Sequence, residues 1–186
     1  MEPSHHVFID HLLPLMRIAA QDRLLDVGCG DGWACRIMAG LASSGTVVGI
    51  DASADRIGEA RRHAVDFENI LHVAAEAEEN PWQDGFFTHA VMIDLIYRVK
   101  DPAAALRHTY RVLAPGGRLW MLNQIAHENG TAALLERDDD ETTTLPRADE
   151  YTEMLAQCGF AEPVWQLLPA GNGGVSSLLI TARKPL

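Results

Sequence analysis

The chain has 186 residues, of which 47% are hydrophobic and 22% charged, a mixture that gives one globular domain a full apolar core. Its 26 acidic residues against 15 Lys and Arg leave a formal net charge of -11, and the basic residues form no cluster, so neither nucleic acid nor a bare anionic membrane is expected as a partner. No apolar run is long enough to cross a bilayer, Met1 to His6 lack the parts of a signal peptide, and Cys29, Cys35 and Cys158 have neither disulfide-framework nor zinc-ligand spacing; this predicts a cytoplasmic protein with reduced thiols and no metal.

In chain order, Phe8, Leu12, Leu15, Met16 and Ala19 recur at helical spacing, with Pro14 kinking or splitting the helix. Arg23 to Val27 is a short apolar run ended by glycines and reads as a buried strand. Ala34, Ile37, Met38 and Leu41 then make one helical face, closed by Gly45. The same grammar repeats: Thr46 to Asp51 is a strand, and Ser53 caps a helix carrying Ile57, Ala60 and Ala64. Ile70 to Ala74 and Thr88 to Ile93 are two further strands. Asp101-Pro102 opens a helix with Leu106, Tyr110 and Leu113 on one side, stopped by Pro115-Gly116-Gly117 before a fifth strand, Arg118 to Leu122.

Residues 123–146 break the rhythm with an acidic run, Asp138 to Glu141, and Thr142 to Thr144; the segment reads as an exposed, mobile, lid-like stretch. Tyr151, Met154, Leu155 and Cys158 form a last helical stripe ended by Gly159, and two strands near Pro163–Leu168 and Val175–Ala182 flank the turn at residues 171–174. The pattern predicts an α/β fold: a doubly wound, Rossmann-like, seven-stranded and mostly parallel sheet with a C-terminal antiparallel hairpin and helices on both faces. It is read as a single domain over 1–186, with residues 1–20 as an N-terminal helical cover.

The richest motif is Asp26-Val27-Gly28-Cys29-Gly30-Asp31-Gly32, which joins the first strand to a helix through alternate glycines. Glycines let a ligand approach the main chain at the carboxyl edge of the sheet. A dinucleotide fingerprint needs a third glycine at position 33, which is Trp33. Asp26 and Asp31 bracket the loop, and such acids suit a cationic or zwitterionic ligand better than a pyrophosphate. Asp51, ending the second strand, is placed to accept from a ribose diol, which points to a nucleoside.

The runs LLDVGCGDG, VVGIDAS, AEAEENPW and DPAAALRHTYRVLAPGGRL resemble the class I S-adenosylmethionine-dependent methyltransferases, particularly their small-molecule group. The likeness is close over residues 24–123 and looser beyond. It implies S-adenosyl-L-methionine as cofactor, with Gly28, Cys29, Gly30 and Gly32 around its methionyl part and Asp26 facing its amino group through water. It further implies Asp51 on the ribose, Ala52 against adenine, Glu76 and the Ala77 amide on the adenine edge, and Met92 to Leu95 at the methyl end. Ala75 and Glu76 depart from the family's usual Gly-Asp at those places.

A sulfonium already activates its methyl group, so binding and in-line positioning of a small acceptor carry most of the catalysis and a general base is optional. Candidate catalytic residues are Tyr97, His127 and Asp94. His5, His6 and His11 gather near the start, where a solvated segment is the plainer meaning. The rivals are an aminopropyl-type transferase on the same fold and a non-enzymatic module binding the same nucleoside. The expected partner is a small-molecule acceptor, with a homodimer left open.

Overall fold

A computed structural model describes residues 6–124, 134–136, 142–144, 146–168 and 177–186. A wide π-type turn over Phe8–Leu12 runs into a short helix α1, Leu13–Met16, which holds Pro14 in its first turn and ends at Arg17 in the left-handed region. Pro14 has no N–H to give, and the wider turn before it is a common way to absorb that loss. The helical stretch is therefore shorter than its apolar spacing suggests. Ala19 lies past its end and Leu15 is exposed, while Phe8, Leu12 and Met16 are buried.

The elements that follow are β1 (Arg23–Val27), α2 (Trp33–Leu41), β2 (Thr46–Asp51), α3 (Ala54–His63), β3 (Ile70–Ala74), β4 (Phe87–Ile93), α4 (Pro102–Val112) and β5 (Leu113–Gln124). A small two-stranded piece, β6 (Leu134–Glu136) with β7 (Thr142–Thr144), precedes α5 (Ala148–Gln157), β8 (Ala161–Leu168) and β9 (Ser177–Arg183). The main sheet has seven strands in the order β3-β2-β1-β4-β5-β9-β8. Strands β1 to β5 pair in parallel, and β9 runs antiparallel to both of its neighbours.

Both faces of the central strands are buried, which is why they read as unbroken apolar runs. Leu25, Val27, Val48, Ile50, Met92 and Met121 point to one face, where they pack with Leu106 of α4 and Leu155 of α5. Leu24, Val47, Val91, Trp120 and Leu122 point to the other, with Phe8, Leu12, Cys35 and Met38. Of the helical face read in α2, Ala34 and Met38 are buried but Leu41 in the last turn is half exposed.

Caps settle where two of the helices start. The Ser53 hydroxyl accepts from the Arg56 amide, and Asp101 Oδ1 accepts from the Ala104 amide at 2.8 Å. At the other end, α4 stops at Val112, three residues before Pro115, and β5 begins at Leu113 instead of Arg118. Here Lys184, just beyond β9, donates from Nζ to the carbonyls of Tyr110, Arg111 and Leu113 at 2.9, 3.2 and 2.7 Å. A cation thus takes over the orphan acceptors of the helix end. Strand β5 also runs through Asn123 and Gln124, so the start of the stretch read as a loose lid is sheet; the acidic run at 138–141 and the turn at 171–174 lie outside the described residues. Strand order reverses between β1 and β4, which opens a crevice at the carboxyl ends of the strands.

Candidate functional site

The glycine loop sits at this reversal point. Gly28, Gly30 and Gly32 have φ of 76°, 56° and 77°, left-handed values that disfavour any side chain. At Gly28 a Cβ would also stand 2.7 Å from Leu95 Cδ1, so the chain leaving β4 closes directly over the loop. Four of the loop's amides, those of Gly28, Cys29, Gly30 and Gly32, are engaged within the protein. Gly28 and Cys29 donate to the Ile50 carbonyl at 2.8 and 2.9 Å, Gly30 donates to Asp51 Oδ2 at 2.9 Å, and Gly32 donates to the Cys29 carbonyl. A phosphate cradle needs such N–H groups free and converging; this loop is folded onto itself and onto β2.

Asp51 is the anchor of that arrangement. Its Oδ2 holds the Gly30 amide and its Oδ1 holds the Ser53 amide, each at 2.9 Å, which fixes the carboxylate while leaving an acceptor lone pair on each oxygen. Ala52 beside it is exposed. The Ala75 amide donates to the Asp51 carbonyl, bringing the end of β3 alongside, so that exposed Glu76 and buried Ala77 follow at the same edge of the sheet.

The two acids flanking the loop differ sharply. Asp26 is 2% exposed, on the β1 face that meets α2, and its Oδ2 accepts from the Cys35 thiol at 3.2 Å. Burial pushes its carboxyl up to about 7, with the Cys35 hydrogen bond opposing and Asp51 and Asp31 reinforcing the rise. Asp31 instead accepts from the Trp33 amide at the start of α2 and pairs with Arg36 at 3.5 Å. Its charge has a local partner and burial pushes the Asp26 carboxyl up to about 7, so neither acid stands as a bare carboxylate beside the loop. Arg56 adds a cation that the sequence pattern did not single out: its Nη1 comes within 3.4 Å of a Cβ placed on Gly30.

At the carboxyl ends of β4 and β5, Met92 is fully buried in the sheet core and Leu95 is the side chain that reaches the loop. Asp94 turns the chain with φ of 50°, its amide donating to the Leu122 carbonyl at 2.8 Å. Tyr97 is buried beside it, and burial pushes its hydroxyl up to about 12. The structure brings in two polar groups that sequence reading passed over, Tyr151 on α5 and Asn123 near the end of β5. Both are 2% exposed, and neither the Tyr151 hydroxyl nor the Asn123 amide has a hydrogen-bond partner among the described residues. Buried orphans of this kind call for an explanation. Tyr151 lies near enough to Tyr97 and Asp94 for their charges to raise its pKa, after burial as the main cause. Helical periodicity marks Tyr151 only as a core position, and Asn123 only as a strand end. His127 lies outside the described residues.

A family model described as a methyltransferase domain matches residues 5–165. Demethylmenaquinone methyltransferase of Staphylococcus epidermidis is 30% identical over 115 residues, which are 61% of this chain and 48% of that protein. The chain thus spans about half the length of the curated relatives it matches. Among solved structures, a SAM-dependent methyltransferase from Aquifex aeolicus superposes with a TM-score of 0.77 at 16% identity, covering 98% of each chain. Burkholderia thailandensis 1,6-didemethyltoxoflavin-N1-methyltransferase, with bound 1,6-didemethyltoxoflavin and S-adenosylhomocysteine, superposes at 0.75 with 20% identity, covering 99% of this chain and 77% of that one. The shared fold is the seven-stranded sheet described above.

Proposed function

Because the chain belongs to a family of methyltransferase domains, we propose that its crevice binds S-adenosylmethionine and that it transfers the methyl group to a small acceptor held at the ends of β4 and β5. The observation that carries the proposal is the state of the glycine loop. The amides of its three glycines and of Cys29 are bonded internally and its anchor is a carboxylate with lone pairs to spare, a combination that disfavours pyrophosphate and favours a nucleoside diol. The residues fit the group. Asp51 would accept from the ribose hydroxyls, Gly28, Gly30 and Gly32 give the close main-chain approach, and Asp26 offers a buried carboxyl to an ammonium. Ala52, Glu76 and Ala77 line up on the adenine side.

When bound, the sulfonium supplies an electrophilic methyl group. What remains for the chain is to hold the acceptor in line and keep water out. Tyr97, Tyr151 and Asn123 are polar, buried and close to the end of β4, so they suit a compact ring compound with hydrogen-bonding substituents. That class agrees with the quinone and heteroaromatic acceptors named for the relatives. The N-terminal segment supports the reading of a cover over a single domain: Phe8 packs edge-on against Trp33, at the start of α2, with ring centroids 5.2 Å apart.

Calorimetric titration with S-adenosylmethionine and S-adenosylhomocysteine tests the binding half. Asp51→Ala is expected to weaken both by roughly 10- to 100-fold, on the scale of about 1–3 kcal/mol for hydrogen bonds to a charged group. Undiminished affinity in a variant with native circular dichroism removes Asp51 from the site. A screen of hydroxylated and heteroaromatic ring compounds with labelled cofactor tests the transfer half. Binding without transfer to any of them would favour a non-enzymatic module.

A further inference from the structure

Beneath the glycine loop, on the α2 side of the sheet, two cysteines of the loop-helix junction meet a histidine from β3. Cys29 comes from the loop, Cys35 from the first turn of α2 and His72 from the middle of β3. All three side chains are buried, and one potential donor atom from each lies within 4.8 Å of the others. Gly49 of β2 makes room for them: a Cβ there would stand 2.8 Å from Cys29 Sγ, Cys35 Sγ and His72 Cδ2 alike. A second observation points to a ligand. The His72 Nε2 atom is buried, with His72 only 2% exposed, and has no hydrogen-bond partner among the described residues. It also faces the loop, 2.6 Å from a Cβ placed on Gly32.

We propose that Cys29, Cys35 and His72 bind a thiophilic divalent cation of the zinc type. Two sulfurs and an imidazole nitrogen are donor types zinc takes, and donors that share one zinc stand about 3.3–3.8 Å apart given bonds of about 2.0–2.3 Å. Binding exchanges two thiol protons for the cation: both Cys S–H bonds are broken, two metal–thiolate bonds form, and two protons leave to solvent. Two thiolates and a neutral imidazole leave the bound divalent cation with no net charge, and Arg61 fixes β3 beside it by donating to the His72 carbonyl from Nε and Nη2 at 3.1 and 2.7 Å.

Cysteine spacing alone argued against a metal, because zinc motifs are recognised when ligands are close in sequence, whereas here His72 is brought in by the pairing of β3 with β2. A cation held there would tie the loop, α2 and β3 together directly under the crevice.

The test is titration of the reduced, chelator-stripped protein with cobalt(II), whose thiolate complexes absorb through charge transfer in the near ultraviolet and whose tetrahedral complexes absorb in the visible. The chain contains three cysteines, so the Cys158→Ser protein retains only the two in the cluster. It is expected to bind one equivalent of cobalt with the two-thiolate absorption of the wild type, to release about two protons, and to give up the absorption when zinc is added. Cys35→Ser and His72→Gln should bind cobalt at least tenfold more weakly. Absence of charge-transfer absorption in the wild type or in Cys158→Ser overturns the proposal, whether or not the other variants fold, and so does wild-type affinity in a folded Cys35→Ser.

Discussion

Asp26 shows how one side chain can set a pH dependence. A carboxyl with an ordinary pKa of 3.8 is pushed up to about 7 by burial, despite the hydrogen bond from Cys35. Because the folded value lies above the unfolded one, the neutral carboxyl's contribution to stability is complete below pH 3.8 and is lost as pH rises through about 7. Three pH units at about 1.4 kcal/mol each set an upper bound of roughly 4 kcal/mol. Asp26→Asn keeps the neutral shape and abolishes the titration. In urea unfolding, its stability relative to the wild type is expected to climb between pH 4 and pH 8, whereas parallel curves would mean that Asp26 does not titrate in this window. Cofactor binding should respond in the opposite sense. An ammonium favours the ionised carboxylate, so wild-type affinity for S-adenosylmethionine is expected to rise from pH 5 to pH 7, below the range in which the ammonium itself loses its proton, and Asp26→Asn should flatten that rise in calorimetry.

Elements in this fold are ended by partners from far along the chain, and α4 is the plainest case. Lys184 donates to three carbonyls at its C-terminus and lies 4.7 Å from the Tyr110 ring centroid. Lys184→Met is expected to cost about 1–2 kcal/mol, less than the full value of a charged hydrogen-bond set because the site is partly open to solvent. A drop of several degrees in thermal midpoint would register it, and an unchanged midpoint would show the helix end to be satisfied without the lysine. This long-range capping explains a limit of sequence reading. β1, β2 and β3 are bounded by glycine, cap and strand signals within their own few residues, and their predicted limits match the structure. β5 begins five residues early because pairing with Phe87 and the Lys184 cap are both tertiary. At the site, the glycines and Asp51 were legible because their chemistry lies in one loop and one strand end. Tyr151, Asn123 and the Cys29–Cys35–His72 cluster were not, since each owes its meaning to elements packed from elsewhere.

On the scale of the whole molecule, the crevice lies at the reversal of strand order between β1 and β4, so a ligand there would sit between the two halves of the sheet. A ligand that binds only the folded chain stabilises it by RT ln(1 + [L]/Kd), about 2.7 kcal/mol at a hundred times Kd. For a domain of this length each kcal/mol raises the thermal midpoint by about 2–4 °C. Saturating S-adenosylhomocysteine is therefore expected to raise it by roughly 5–10 °C. The same concentration should move Asp51→Ala much less, since its Kd is higher and the logarithm correspondingly smaller. The acidic surface gives this measurement a control. With a net charge of -11, raising the salt concentration relieves self-repulsion and shifts the unliganded midpoint by itself. The ligand-induced increment, which depends on hydrogen bonds inside the crevice, should survive at high salt. An increment that vanishes with salt would assign the stabilisation to nonspecific ion binding, and the nucleoside would then have no place at the ends of β1 and β2.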